Sequence, residues 1–135
     1  MATSVDLPRY SAKGTTIVPR MAPLRFEPIL KRILWGGRRL ETVLGKPLGD
    51  GHDHAESWEV ADHRLDVSQV AEGPLSGMTL RDLIHQYGKR LLGEKAGSRD
   101  QFPLLVKFLD AHQDLSVQVH PDDELGRVLA GDNGK

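Results

Sequence analysis

The run DLSVQVHPDDE, residues 114–124, is where a β architecture first declares itself. Leu115, Val117 and Val119 alternate with Ser116, Gln118 and His120. Successive side chains of a strand point to opposite faces, so this period of two predicts a strand over 115–120 with one apolar and one polar face. Ser116, Gln118 and His120 then form a row spaced at about 7 Å, from a rise near 3.3 Å per residue. Pro121 ends the strand and opens a short helix, PDDELGRVLAG (121–131). Asp122 and Asp123 suit the positive N-terminal end of that helix, and Gly131 follows it.

Immediately upstream, FPLLVKFLDA (102–111) predicts a buried strand that is apolar on both faces and interrupted by Lys107. An unpaired ammonium in such a run is costly, so Lys107 must find a partner or a wet cavity. If both strands line one concavity, Lys107 faces the Ser116–Gln118–His120 row; otherwise that row is the polar outer face of a surface strand. Neutral imidazole is the commonest ligand for zinc, and an amide oxygen adds a weak, hard ligand. Two ligands on one strand do not hold a metal, since catalytic zinc takes about three protein donors plus water. A carboxylate and a second histidine would have to come from elsewhere. His120-Pro121-Asp122 also fits the His-x-Asp start of a non-haem iron oxygenase triad, although Asp122 is better explained as a helix cap.

The rest of the chain reads as short elements broken by glycine and proline. PLRFEPILKRILWGG (23–37) gives two extended pieces separated by Pro28, and Gly36-Gly37 marks a turn. RRLETVLG (38–45) is a short helix with Leu40, Val43 and Leu44 on one side and Gly45 as its stop. KPLGDGHDHA (46–55) is a loop at the edge of a site, in which His52, Asp53 and His54 resemble metal ligands but lack a strand to fix them. ESWEVAD (56–62) and LDVSQVAEG (65–73) are short strands. MTLRDLIHQYGKRLLGE (78–94) is the clearest helix, capped by Thr79 with Asp82 three residues on. Its buried stripe is Leu80, Leu83, Ile84, Tyr87 and Leu91, with His85 exposed. The whole predicts a mainly β domain with helical decoration.

Composition bounds what the chain does. With 135 residues it holds one small domain, and 39% hydrophobic with 27% charged residues is a globular balance. Lys plus Arg total 18 against 19 for Asp plus Glu, so no global field recruits nucleic acid or an anionic membrane. The basic cluster Lys31, Arg32, Arg38 and Arg39 is read as a solvated face. Without cysteine there is no disulfide, thiolate metal site or thiol nucleophile, which fits a cytoplasmic protein. No apolar run approaches the roughly 20 residues of a membrane span. Residues 1–22 are polar, basic and aperiodic and are read as a flexible extension, with Met21 an alternative start and a weak likeness to a transit peptide.

QFPLLVKFLDAHQDLSVQVHPDD (101–123) resembles the signature segment of type I mannose-6-phosphate isomerases, zinc-dependent enzymes of cupin fold. PLRFEPILKRILWGGRRL (23–40) is similar to that family's opening strand and Trp-Gly-Gly turn. AESWEVADH (55–63) resembles its Glu-x-Trp segment, and GPLSGMTLRDLI (73–84) its lead into the helix. The resemblance covers 23–135 and implies a cupin-type jelly roll acting on a small sugar phosphate. It implies that His120 and Gln118 are zinc (Zn2+) ligands, that Ser116 and Lys107 bind substrate with Lys107 catalytic, and that Glu56 supports the site. His52 and His54 match no ligand position. The family continues with Thr-Glu after a Gly-Lys pair, and its glutamate and a later histidine complete the metal shell. This chain stops at Gly134-Lys135, so the resemblance implies an N-terminal portion of the barrel. Strands with unpaired edges would make it an aggregation-prone monomer or a strand-swapped oligomer, and the oligomeric state is left open.

Overall fold

The computed structural model describes residues 22–97, 99–131 and 134, and the readings made of residues 1–21 lie outside them. Nine consecutive residues after Pro28 form β1 (Ile29–Gly37), one strand where two short pieces were expected. A four-residue helix α1 (Arg39–Thr42) follows. Then come β2 (His54–Val60) and a small hairpin of β3 (Asp62–His63) and β4 (Asp66–Val67). The long predicted helix is two, α2 (Leu80–Tyr87) and α3 (Lys89–Leu92). The chain closes with β5 (Val106–Leu109) and α4 (Asp123–Ala130). The main sheet is antiparallel in the order β1-β2-β5, so β2 is its centre.

Glycine explains two of the departures. Arg32 and Gly37 both stand opposite His54, so residues 33–36 bulge out of the ladder between them. A Cβ on Gly36 would lie 2.5 Å from the backbone nitrogen of Ala55, closer than any side chain tolerates. The Gly36-Gly37 pair is therefore not a turn but the place where two strand backbones nearly touch. Gly88 takes φ +42, a left-handed value that stops α2 and starts α3. At the other end of α2, Thr79 Oγ1 accepts from the Asp82 backbone N–H at 3.1 Å, the expected cap.

The core is small. Leu40, Ala55, Ala61, Val70, Leu80, Leu83 and Ile84 are buried, and α2 supplies three of them. The expected second and third apolar positions of the first helix, Val43 and Leu44, are exposed, because α1 ends at Thr42 and presents only Leu40 inward.

Two expectations at the C-terminal end are overturned. The 102–111 strand contracts to Val106–Leu109, and instead of being buried on both faces its Val106, Phe108 and Leu109 are about half exposed. Residues 115–120 join no sheet, and all of them are exposed. A strand exists only through its ladder, and among the described residues nothing pairs with the outer edge of β5. The period of two is present there without the hydrogen-bonded neighbour it needs.

Candidate functional site

Alternation along β2 puts Glu56 and Trp58 on one face of the central strand. The register sets Lys31 of β1 opposite Glu56 and Lys107 of β5 opposite Trp58. Two lysines from the flanking strands thus meet a carboxylate and an indole from the middle one.

Glu56 is buried, and both of its oxygens are used. Oε1 accepts from Lys107 Nζ at 2.8 Å, and Oε2 accepts from Trp58 Nε1 at 2.6 Å. Lys31 Nζ lies 4.7 Å over the Trp58 ring and bonds Asp66 Oδ1 at 2.5 Å. The Trp58 ring also forms one wall of an open cleft of about 780 Å³, lined further by Asp62, His63 and the 102–105 segment. On this polar sheet face beside the cleft each lysine is paired with an acid, Lys107 with Glu56 and Lys31 with Asp66.

Lys107 has found the partner that its sequence context demanded. The predicted row is placed differently. Ser116, Gln118 and His120 lie on the exposed segment after β5, where Gln118 Nε2 donates to Ser116 Oγ at 3.4 Å. The two keep a common side, as spacing by two requires, but Lys107 is engaged with Glu56 on β2 rather than with that row. Asp122 Oδ1 accepts from the Leu125 backbone N–H at 2.9 Å as the cap of α4, the role expected of it.

His54 is the first residue of β2, not part of a free loop, and is buried with Nε2 3.2 Å from the Asp50 carbonyl. Arg32 Nε donates to Asp53 Oδ1 at 2.7 Å; this hydrogen bond holds the Asp53 carboxyl below its ordinary pKa and raises that of Arg32. Among the described residues no three His, Asp or Glu side chains gather to hold a metal. One imidazole and one amide do not make a zinc shell, so the described residues alone do not fit a catalytic zinc.

Three residues escaped sequence reading. Lys31 looked like one of a solvated basic cluster, and Asp66 carried no signal. Asp110, buried, accepts from the Arg39 backbone N–H at 2.6 Å through Oδ2 and joins the end of β5 to the start of α1. An acid closing an apolar run was the only available hint.

Residues 24–135 match the family model described as phosphomannose isomerase type I, catalytic domain. The probable mannose-6-phosphate isomerase GmuF of Bacillus subtilis is 43% identical over 114 residues, covering 84% of this chain and 35% of its own length. Mannose-6-phosphate isomerase ManA of the same organism is 41% identical, covering 78% and 32%. The crystal structure of the Bacillus subtilis mannose 6-phosphate isomerase superposes with a TM-score of 0.73 at 32% identity, over 82% of this chain and 34% of that one. The chain spans about a third of the length of these relatives.

Proposed function

Because the chain belongs to the type I phosphomannose isomerase family, we propose that it forms part of an enzyme interconverting mannose 6-phosphate and fructose 6-phosphate. The match of residues 24–135 to the catalytic domain of that family carries this reading. The reaction would move a proton between C1 and C2 through an enediol, in the cytoplasm. Lys107 is proposed to act on the substrate: Glu56 fixes its position and keeps a counter-charge beside it, leaving ammonium protons for a sugar or phosphate oxygen. Ser116 is proposed to contact the same ligand. Gln118 and His120 are proposed to supply two donors to zinc, the remaining donors not being among the described residues. Zinc, when bound, would stabilise negative charge on the sugar oxygens as a Lewis acid.

A chimera tests this directly. This chain's 24–135 would replace the matched third of Bacillus subtilis ManA, and mannose 6-phosphate turnover would be followed. Turnover that falls at least about 100-fold in His120→Ala is the expected result. A folded, zinc-loaded chimera without turnover would overturn the reading.

A second reading is a non-catalytic cupin that binds a sugar phosphate. The lack of a three-donor cluster among the described residues favours it for the chain by itself. Stoichiometric zinc retained by the isolated chain after dialysis would count against it.

A further inference from the structure

Lys107 reaches the Glu56 face of the sheet because of where a one-residue step falls in the β2–β5 ladder. Glu56, Ser57 and Trp58 stand opposite Leu109, Phe108 and Lys107, but Val60 stands opposite Val106, so Glu59 is left over as a bulge. Were the step carried past Leu109, Lys107 would stand opposite Glu59 and Phe108 opposite Trp58. A slip of one residue turns every side chain over, so the lysine would then lie on the other face.

Little within the strand forbids that register. Leu104, Val106 and Phe108 alternate with Leu105 and Leu109, so a slip exchanges apolar for apolar. The lysine does not decide either, because a carboxylate meets it in both registers, Glu56 in one and Glu59 in the other. Glu59 is held on the Ser57 face, where Ser57 Oγ and Lys46 Nζ each donate to it at 2.6 Å. The choice falls to the ends of the strand, and each end is tied to a buried aspartate. Ahead of β5, Asp62 Oδ1 accepts from two nitrogens of Arg81 at 2.8 and 2.6 Å, and Oδ2 accepts from the Phe102 backbone N–H at 2.9 Å. The Gln101 side-chain amide donates to the Asp62 carbonyl. Behind β5, the Asp110 backbone N–H donates to the Ala55 carbonyl at 2.8 Å, and Asp110 Oδ2 accepts from the Arg39 backbone N–H at 2.6 Å. Asp62 thus holds the Val60–Val106 side of the step, and Asp110 holds the Glu56–Leu109 side.

We propose that Asp110 and Asp62 are positioning residues for Lys107, buried anchors on either side of the Glu59 bulge that fix which face of the sheet the lysine takes. Releasing Asp110 lets the step run to the end of β5 and turns Lys107 away from Glu56. Releasing Asp62 lets the step vanish toward Phe102, so that Val106 moves opposite Glu59 while Lys107 stays where it is. The bearing of this register on a sugar phosphate rests on the reading of Lys107 given above; the register itself does not.

The test reads backbone proton contacts across the β2–β5 ladder by NMR in the full 135-residue chain. In Asp110→Ala the Trp58–Lys107 contact is expected to be lost and a Trp58–Phe108 contact to replace it. Asp110→Asn keeps an oxygen for the Arg39 N–H and should retain the original partner. Asp62→Ala should keep Trp58–Lys107 and exchange Val60–Val106 for Glu59–Val106. An aspartate that only stabilises the fold would lower the melting temperature and leave every partner as it was. That result in a folded Asp110→Ala overturns the proposal. Where Asp110→Ala leaves no folded chain, Asp62→Ala decides alone, and an unchanged Val60–Val106 contact there overturns it. Loss of all folded structure in both variants overturns it too, because the aspartates would then hold the core as a whole and not a register. Every readout is a pairing partner, so absent turnover in the ManA chimera leaves this proposal standing.

Discussion

Lys107 and Glu56, 51 positions apart in the chain, meet at 2.8 Å across neighbouring strands. The carboxylate is the hub: it also takes the Trp58 indole proton, so its removal strands two donors, whereas loss of the lysine strands one acceptor. Glu56→Ala should therefore destabilise by roughly 1–3 kcal/mol, and Lys107→Met by less. Denaturant unfolding of the two variants orders them, and a larger loss for Lys107→Met would contradict the hub.

Gly36 should not tolerate a methyl group. Its Cβ would press on the backbone of Ala55 and His54, which cannot swing aside as a side chain does. Gly36→Ala is expected to cost about 1–3 kcal/mol. Gly49→Ala meets nothing within 4 Å and should change stability by less than about 0.5 kcal/mol. Thermal melts of the pair separate crowding from the general effect of adding a side chain.

The two caps are expected to behave alike. Thr79→Ala and Asp122→Ala each remove an acceptor for a first-turn N–H, at about 1 kcal/mol apiece. For Asp122→Ala the loss should appear as faster amide exchange across 123–130, with zinc and ferrous binding unchanged.

The Arg32–Asp53 pair sets an acid-side prediction. The Asp53 carboxyl titrates lower in the folded chain than in the unfolded one, so its contribution is fully present above the unfolded pKa. That contribution is lost as pH falls through the depressed folded value. Both side chains are well solvated, so the effect on stability is small and screened by salt. A carboxyl-carbon NMR titration should place the Asp53 midpoint below the ordinary aspartate value, and Arg32→Ala should return it there.

Local chemistry was legible in the sequence wherever neighbours in the chain decide the outcome. The Thr79 and Asp122 caps, Leu80, Leu83 and Ile84 of the expected stripe and the exposed His85 all follow from spacing within one turn or two, whereas Tyr87 and Leu91 of that stripe are only half-buried. The need of Lys107 for a partner was legible too, but its identity was not, since cross-strand register joins residues half a chain apart. The 115–120 reading failed for the same reason from the other side. Periodicity reports which face a residue would take in a sheet and is silent about whether a neighbouring strand is there. The site was half-read: Glu56 and Lys107 were named, while Lys31 and Asp66 reached it only through the pairing of β1 with β2 and the turn of β3 into β4.

The order of the sheet, with β2 between an early strand and a late one, has a consequence for synthesis on the ribosome. β1 and β2 can pair as soon as residue 60 has emerged, but β5 is made some fifty residues later. Until then the growing chain carries the Glu56 carboxylate and the Trp58 indole without the Lys107 ammonium. The Arg39–Asp110 bond, spanning 71 positions, closes later still. Maturation of the cation-bearing face is thus a late, long-range event, and a ribosome pause before residue 106 would hold β2 with one edge open.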